Sequence, residues 1–344
     1  MKKLLAALFA VLLVSAVFAQ KPYTIQQYLN IRSAAAPSFS PDGKRIAYLT
    51  NVTGTNQVWV MDLPGVNPKQ LTNYNDNISF VKWLPDGSGI IYGKAIGGDE
   101  NTQFFWMKPD GTGTKDLTGQ AKGRHNFAEI SADGRKIYYA SNKRNRTFFD
   151  IYSMELASGK EELIYQQDGN NDLAAVNSDG FKFIVSRDGI EKSLDNNLYL
   201  VDAKTKQETL LTPHTDASQF GSVHFLEDGI IYASDHGRDF YNLTQMRLKN
   251  AGGDWSEANR EVKVIENVNN WDIGSIEMNP YGKNFVYTIN NEGYSKLFMR
   301  GVQAGGKSGS SRIAIRPSGF QVPGNGVIGG LALSKDETKN SVYI

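Results

Sequence analysis

The 344-residue chain contains no cysteine, so its fold is held without disulfides and no thiolate metal site exists in it. Neither sign of charge dominates: 37 Lys and Arg stand against 36 Asp and Glu. That balance lacks the basic excess that nucleic acid or an anionic membrane surface selects. Histidine is scarce, and His125, His214, His224 and His236 show no metal-ligand spacing between any two of them. Each is expected to be a structural or surface residue. No G-x-S-x-G string occurs, so the strained elbow that presents a serine nucleophile has no counterpart here. No catalytic residue, metal or cofactor is therefore assigned to this chain. Long apolar runs are also missing, apart from one at the start.

That run, MKKLLAALFAVLLVSAVFAQ, places two lysines ahead of an apolar core, with Val17 and Ala19 before a cut ahead of Gln20. The pattern is that of a secretory signal peptide over residues 1–19, too short and wrongly flanked for a spanning helix. An exported protein, periplasmic or extracellular, is expected, with no membrane span left after cleavage.

What the chain does have is Gly 34, Tyr 16 and Phe 17, a composition suited to short strands and tight turns. The exception is TIQQYLNIRSAA (24–35), within a lead-in over residues 20–37. There Ile25, Tyr28, Leu29 and Arg32 fall at helical spacing behind Thr24 as a cap, predicting one short helix.

The strongest signal is internal repetition. SFSPDGKRIAYLTNVTGTNQVWVMDLPGVNPKQLT (38–72) recurs as KWLPDGSGIIYGKAIGGDENTQFFWMKPDGTGTKDLT (82–118), and then from residues 129, 175, 223 and 276. Turn glycines fall at 43, 87, 134, 180, 229 and 282, close to the period of propeller blades. Each unit reads as four strands. A short strand ends in Ser-Pro-Asp-Gly, where Pro41 pre-sets the second turn position, Asp42 bonds nearby backbone and Gly43 takes a left-handed conformation. An alternating strand such as RIAYLT, an aromatic third strand and a closing strand ending in Leu-Thr follow. The expected fold is all-β: a β-propeller of four-stranded blades over residues 38–344, six complete and a seventh begun by LALSKDETKNSVYI (331–344).

In such a disc the second-to-third-strand loops and the blade connectors share one face, and the Ser-Pro-Asp-Gly turns share the other. The turn acids are therefore expected to shape turns. The loop face gathers Asp99 and Glu100, Arg144 and Arg146, Arg238 and Asp239, with Arg124, His125 and Trp271 from the connectors. Charged and aromatic loop residues on a rigid scaffold suit recognition, here of a substrate. Two motif matches are set aside. GVQAGGKS (301–308) fits a phosphate-binding loop but SGSSRIAIRP follows it, where a helix is required. GNGVIG (324–329) likewise precedes no βαβ unit.

Units of the form SFSPDGKRIAYLT…QVWVMDLPG…KQLT resemble the propeller of the prolyl oligopeptidase family of serine peptidases, in particular its acylaminoacyl-peptidase-like and dipeptidyl-peptidase-like bacterial members. The lead-in YTIQQYLNIRSAAAPSFSPDG and the GGDENTQ loop of the second unit are similar to theirs, and the resemblance covers essentially the whole mature chain. It implies a propeller that caps a C-terminal α/β-hydrolase domain with a Ser-Asp-His triad and restricts access to short peptides. This sequence has no counterpart of that domain, so none of the family's catalytic residues carries over, and enzymatic activity is expected of a longer parent protein. TolB-like periplasmic propellers share the Ser-Pro-Asp-Gly repeat, and a stand-alone protein-binding scaffold is the alternative. TolB proteins carry an α/β domain before the propeller, whereas here the first blade is expected to begin within about twenty residues of the predicted cut, which weighs against that alternative. A third class, a propeller with its own lyase or glycosidase site, needs paired carboxylates or a metal near the axis. Adjacent Asp99 and Glu100 point apart in an extended segment.

Overall fold

The structure, a computed structural model, describes residues 22–119, 123–250, 253–268, 270–279, 282, 284–302, 313–314, 326–334 and 342–343. The expected signal peptide, residues 303–308 of the first set-aside motif and residues 324–325 of the second lie outside the described residues. The chain forms two compact units, Met1–Ser33 and Ala34–Ile344. In the first, helix α1 (Ile25–Leu29) opens on a capping box. The Thr24 hydroxyl accepts from Gln27 N at 3.2 Å while the Gln27 side chain accepts from Thr24 N at 2.8 Å. The helix stops short of the predicted 24–35, because Asn30 caps it and residues from Ala34 onward are taken by a strand.

Among the described residues the second unit contains six four-stranded antiparallel meanders and a two-stranded start of a seventh, the propeller the repeats predict. Blade 1 comprises Ala34–Phe39, Arg45–Thr50, Gln57–Asp62 and Val66–Gln70. The innermost strands of blades 2 to 6 are Ile78–Trp83, His125–Ile130, Asn171–Val176, Phe220–Leu226 and Ile273–Met278. In the seventh unit Ala332 pairs with Tyr343 and Leu333 with Val342, matching Ser38 with Ala47 and Phe39 with Ile46 in blade 1.

Second strands are not one-sided as the alternation in RIAYLT suggested: Ile46, Ala47 and Leu49 are all buried. The reason is that each blade packs face to face against two others. Val58, Val60, Val81, Ile90 and Phe105 form one core between blades 1 and 2, and equivalent apolar clusters join every following pair. The seventh unit closes the ring by packing. Its inner strand lies between those of blades 6 and 1, and Leu331 and Leu333 pack on Val286 and Leu297. Gly330 lies so close to blade 1 that a Cβ would stand 2.7 Å from Pro37 Cδ.

The repeated motifs have distinct physical jobs. In Ser-Pro-Asp-Gly, Gly43 N donates to Ser40 O at 2.9 Å, and Gly43 sits at φ +66°. Asp42 accepts from the Ser40 hydroxyl at 2.6 Å and from Lys44 N at 3.1 Å. Those bonds hold its carboxyl below the ordinary aspartate range, and Ser131 and the Arg135 N–H do the same for Asp133. Gly229 departs from the expected role. Leu226 and Gly229 pair directly across a shorter hairpin, and the glycine is needed because a Cβ would lie 2.0 Å from Met246 O.

The closing Leu-Thr is a tether. Thr72 accepts from Val58 N at 2.8 Å and donates to Gln57 at 2.9 Å, while the Gln57 amide donates to Tyr74 O at 2.9 Å in the connector. Thr118 with Gln103 and Gly123 repeats the arrangement. In blade 4 Thr212 accepts from Leu198 N, and Asn196 reaches Phe220 O. Buried side-chain amides thus hold the connectors on the loop face by pairing with their backbone carbonyls.

Candidate functional site

Five residues before the repeat glycines stand Ser38, Lys82, Glu129, Ala175, His224 and Glu277, one from each innermost strand of the six four-stranded blades. Every one of those strands has a register irregularity against its neighbour, for example between Leu173 and Ala175 and between Gly221 and His224. Such bulges bend a strand and re-aim its side chains. The result is an axial cavity of about 540 Å³ whose wall includes Lys82, Glu129, Ala175, His224 and Glu277. Asn126, Asn170, Asp172, Ser186 and Asp188 line the part nearer the loop face.

Glu129 is exposed on the wall of this cavity, yet protein surrounds it on its flanks. That desolvation pushes its carboxyl above the ordinary glutamate value, with Glu277 adding to the rise, while Lys82, the Ile130 N–H and His224 pull the other way. Asp172 is raised for the same leading reason, despite its bond from Leu173 N and the nearby Asn126 and Arg124. The His224 Nε2–H donates to Ile276 O at 2.8 Å, tying the blade 5 and blade 6 inner strands. Among the described residues no three His, Asp or Glu side chains are arranged to hold a metal ion. What the lumen offers chemically is charge and hydrogen bonding to a guest.

The residues expected from sequence lie around the loop face, in three sectors. Asp99 and Glu100 occupy the hairpin between Ile90–Lys94 and Gln103–Met107. Asp99 folds back on its own loop, accepting from the Asn101 side chain at 3.2 Å and Asn101 N at 3.0 Å, which lowers its pKa. Glu100 is exposed at φ +61°. The blade 3 sector holds four of them. Arg124 is exposed and its Nε donates to Asn126 at 3.2 Å. His125 is buried between Phe104 and Tyr139 and donates from Nδ1 to Thr102 O at 3.1 Å. Burial pushes its pKa down, so it serves as a packed neutral ring.

Arg144 grips the wholly buried Asp150 with two bonds, at 2.5 and 2.9 Å, and also meets Asp168 at 3.2 Å. The Asp150 bond holds the guanidinium in its charged form. Arg146 is exposed at the tip of the same hairpin. In the third sector Arg238 and Asp239 are exposed, while Trp271 packs on the core between blades 5 and 6.

The structure also joins His214 and His236, 5.7 Å apart between ring centres. His214 contacts Asp195 at 2.9 Å, and Ser218, itself buried, contacts His236 at 3.1 Å. The sequence alone does not mark the lumen residues Lys82, Glu129, Asp172 and Glu277, and it leads one to expect His224 to be a structural or surface residue, whereas all five line the cavity. Their signal was the constant distance of most of them from the turn glycine.

Known proteins place this architecture. A dipeptidyl aminopeptidase BIII from Pseudoxanthomonas mexicana is 29% identical over 136 residues, 38% of this chain and 19% of that protein. The chain thus matches about a fifth of that relative's length. A prolyl endopeptidase, studied for the role of inter-domain dynamics in catalysis and specificity, superposes with a TM-score of 0.63 at 14% identity, over 90% of this chain and 45% of its own. The β-propeller domain of the Trilobed protease from Pyrococcus furiosus, which has an open velcro topology, gives 0.57 at 19% identity, over 83% and 81%. At such identities the structural likeness establishes the fold alone. The class is a β-propeller domain related to those of peptidases. Residues 30–247 match the Tricorn protease N-terminal beta propeller domain, and the chain belongs to that family.

Proposed function

We propose that this chain is the substrate-gating and recognition propeller of an exported serine peptidase acting on short peptides, working with an α/β-hydrolase domain C-terminal to it. The observation that carries the reading is the axial lumen of about 540 Å³ with polar walls. A cavity of that order matches ligand-sized guests, so it suits an extended peptide and rejects a folded protein. Kinship with peptidase propellers supports the peptidase context. The loop face exposes Val52, Ile96, Ile190 and Leu194, apolar side chains suited to a second domain resting there. Around them Asp99, Glu100, Arg124, Arg146, Arg238 and Asp239 supply exposed charge for substrate or domain contacts. The leader MKKLLAALFAVLLVSAVFAQ supports export. The chemistry is assigned to the hydrolase domain, because no nucleophile motif stands in this sequence.

The native protein, purified from its source and treated with a fluorophosphonate probe, tests this. Peptides of the propeller are expected within a labelled serine hydrolase that cleaves short peptides and spares folded proteins. Recovery of the propeller only in an unlabelled protein bound to a folded partner would overturn the reading and favour a self-sufficient binding scaffold.

A further inference from the structure

The lumen is electrically lopsided. Its described wall presents Glu129, Asp172, Asp188 and Glu277 against a single ammonium, Lys82, with the His224 imidazole beside them and the Arg124 guanidinium near Asp172. These groups come from five blades. Lys82, Glu129, His224 and Glu277 share one register before the turn glycine, so they form a band near the turn face, whereas Asp172 and Asp188 belong to the opposite end of their strands.

The band is electrically coupled. Lys82 and His224 favour the Glu129 anion, and Glu277 opposes it. One oxygen of Glu129 is occupied by the Ile130 N–H at 3.1 Å, and one proton of His224 is committed to Ile276 O. Lys82 alone leaves an acidic excess. Walls of protein around a narrow aqueous lumen concentrate the field of that excess on whatever enters it, and a guest cation would relieve the repulsion between Glu129 and Glu277.

We propose that the axial channel is a binding site for cationic peptide segments, admitting short peptides with lysine or arginine side chains in preference to neutral or acidic ones, and that Glu129 and Glu277 read the charge. The inference rests on the peptide-gating reading and adds the class of peptide. Lys82 sets the strength of the preference by offsetting part of the acidic excess. His224 acts by positioning, since its bond to Ile276 O holds the blade 5 strand against the strand that carries Glu277.

Calorimetric titration of this chain with Ala-Lys-Ala, Ala-Ala-Ala and Ala-Glu-Ala tests the proposal. The basic tripeptide is expected to bind about tenfold tighter than the neutral one at low salt, a ratio that shrinks at high salt. In the Glu129→Gln, Glu277→Gln double variant, with its melting curve recorded as a folding control, that advantage should vanish while binding of the neutral peptide persists. Lys82→Gln should widen it, which gives a reading of opposite sign should the double variant fail to fold. Equal binding of all three peptides, or a basic preference that survives in the folded double variant, would overturn the charge filter and leave peptide gating standing. Binding of none of the three would remove both readings.

Discussion

Replacing Arg300 by alanine tests whether the blades are pinned to one another by buried charge. Glu266 ends the outer strand of blade 5, and Arg300 and Tyr287 belong to blade 6. The guanidinium meets Glu266 at 2.6 Å with the two side chains only 11% and 9% exposed, and the Tyr287 hydroxyl donates to the same oxygen at 3.1 Å. Removing one member of a buried pair leaves the other charge desolvated and less well compensated, at a cost of about 3–5 kcal/mol. Unfolding entropy of about 2.1 cal/mol/K per residue, over the roughly 310 residues from Ala34 to Ile344, amounts to about 0.65 kcal/mol/K. Arg300→Ala should therefore lower the melting temperature by about 5–8 °C in differential scanning calorimetry. Combining Arg300→Met with Glu266→Leu, which removes both charges and keeps apolar volume, should recover most of the loss. A fall below about 1.5 °C for Arg300→Ala, equivalent to about 1 kcal/mol, would mark the pair as no better than a solvated surface bridge and refute the argument.

Other outcomes follow from the same kind of reasoning. Thr72→Val deprives Val58 N and Gln57 of their hydroxyl partner and should cost about 1–3 kcal/mol, with faster amide exchange at Val58. Gly43→Ala should cost about 1 kcal/mol for its left-handed backbone alone, since the space around it is open, whereas Gly229→Ala should cost more because Met246 O blocks the new methyl. Denaturant titration ranks the two, and the reverse order would disprove the distinction. Glu129 titrates above its ordinary 4.5 in the fold, so over the interval between the two values the native state holds more protons than the unfolded chain. Its contribution to stability therefore falls as pH rises from 4.5 through the folded value. Glu129→Gln should melt with the parent in acid and above it at neutral pH. Arg144→Ala, which strands the buried Asp150, should lower the melting temperature while leaving tripeptide affinity unchanged. The opposite pattern would make Arg144 a recognition residue.

Much of the blade architecture was legible because its causes are local. Pro41, Asp42 and Gly43 specify a turn through backbone preference and short-range hydrogen bonds, and Thr24 with Gln27 caps a helix in the same way. Gly229 shows where that logic ends. Its spacing matched the other turn glycines, but the constraint on it comes from Met246 across the hairpin. Strand order alone assigns the expected residues to hairpins and connectors, and the structure carries them on such segments. Their roles were less legible, because Asp150 beneath Arg144 and the rings around His125 are partners brought in by strand pairing or a neighbouring blade.

The chain's repeats were enough to establish the blades and most of their turns, since each hairpin depends on residues within a few positions of one another. Only the assembled ring decided which charges meet. Lys82, Glu129, His224 and Glu277 are separated by whole blades in sequence and face one lumen because bulged inner strands turn them to the axis. Local chemistry writes a strand, but it cannot state which side chains of distant strands will share the same water.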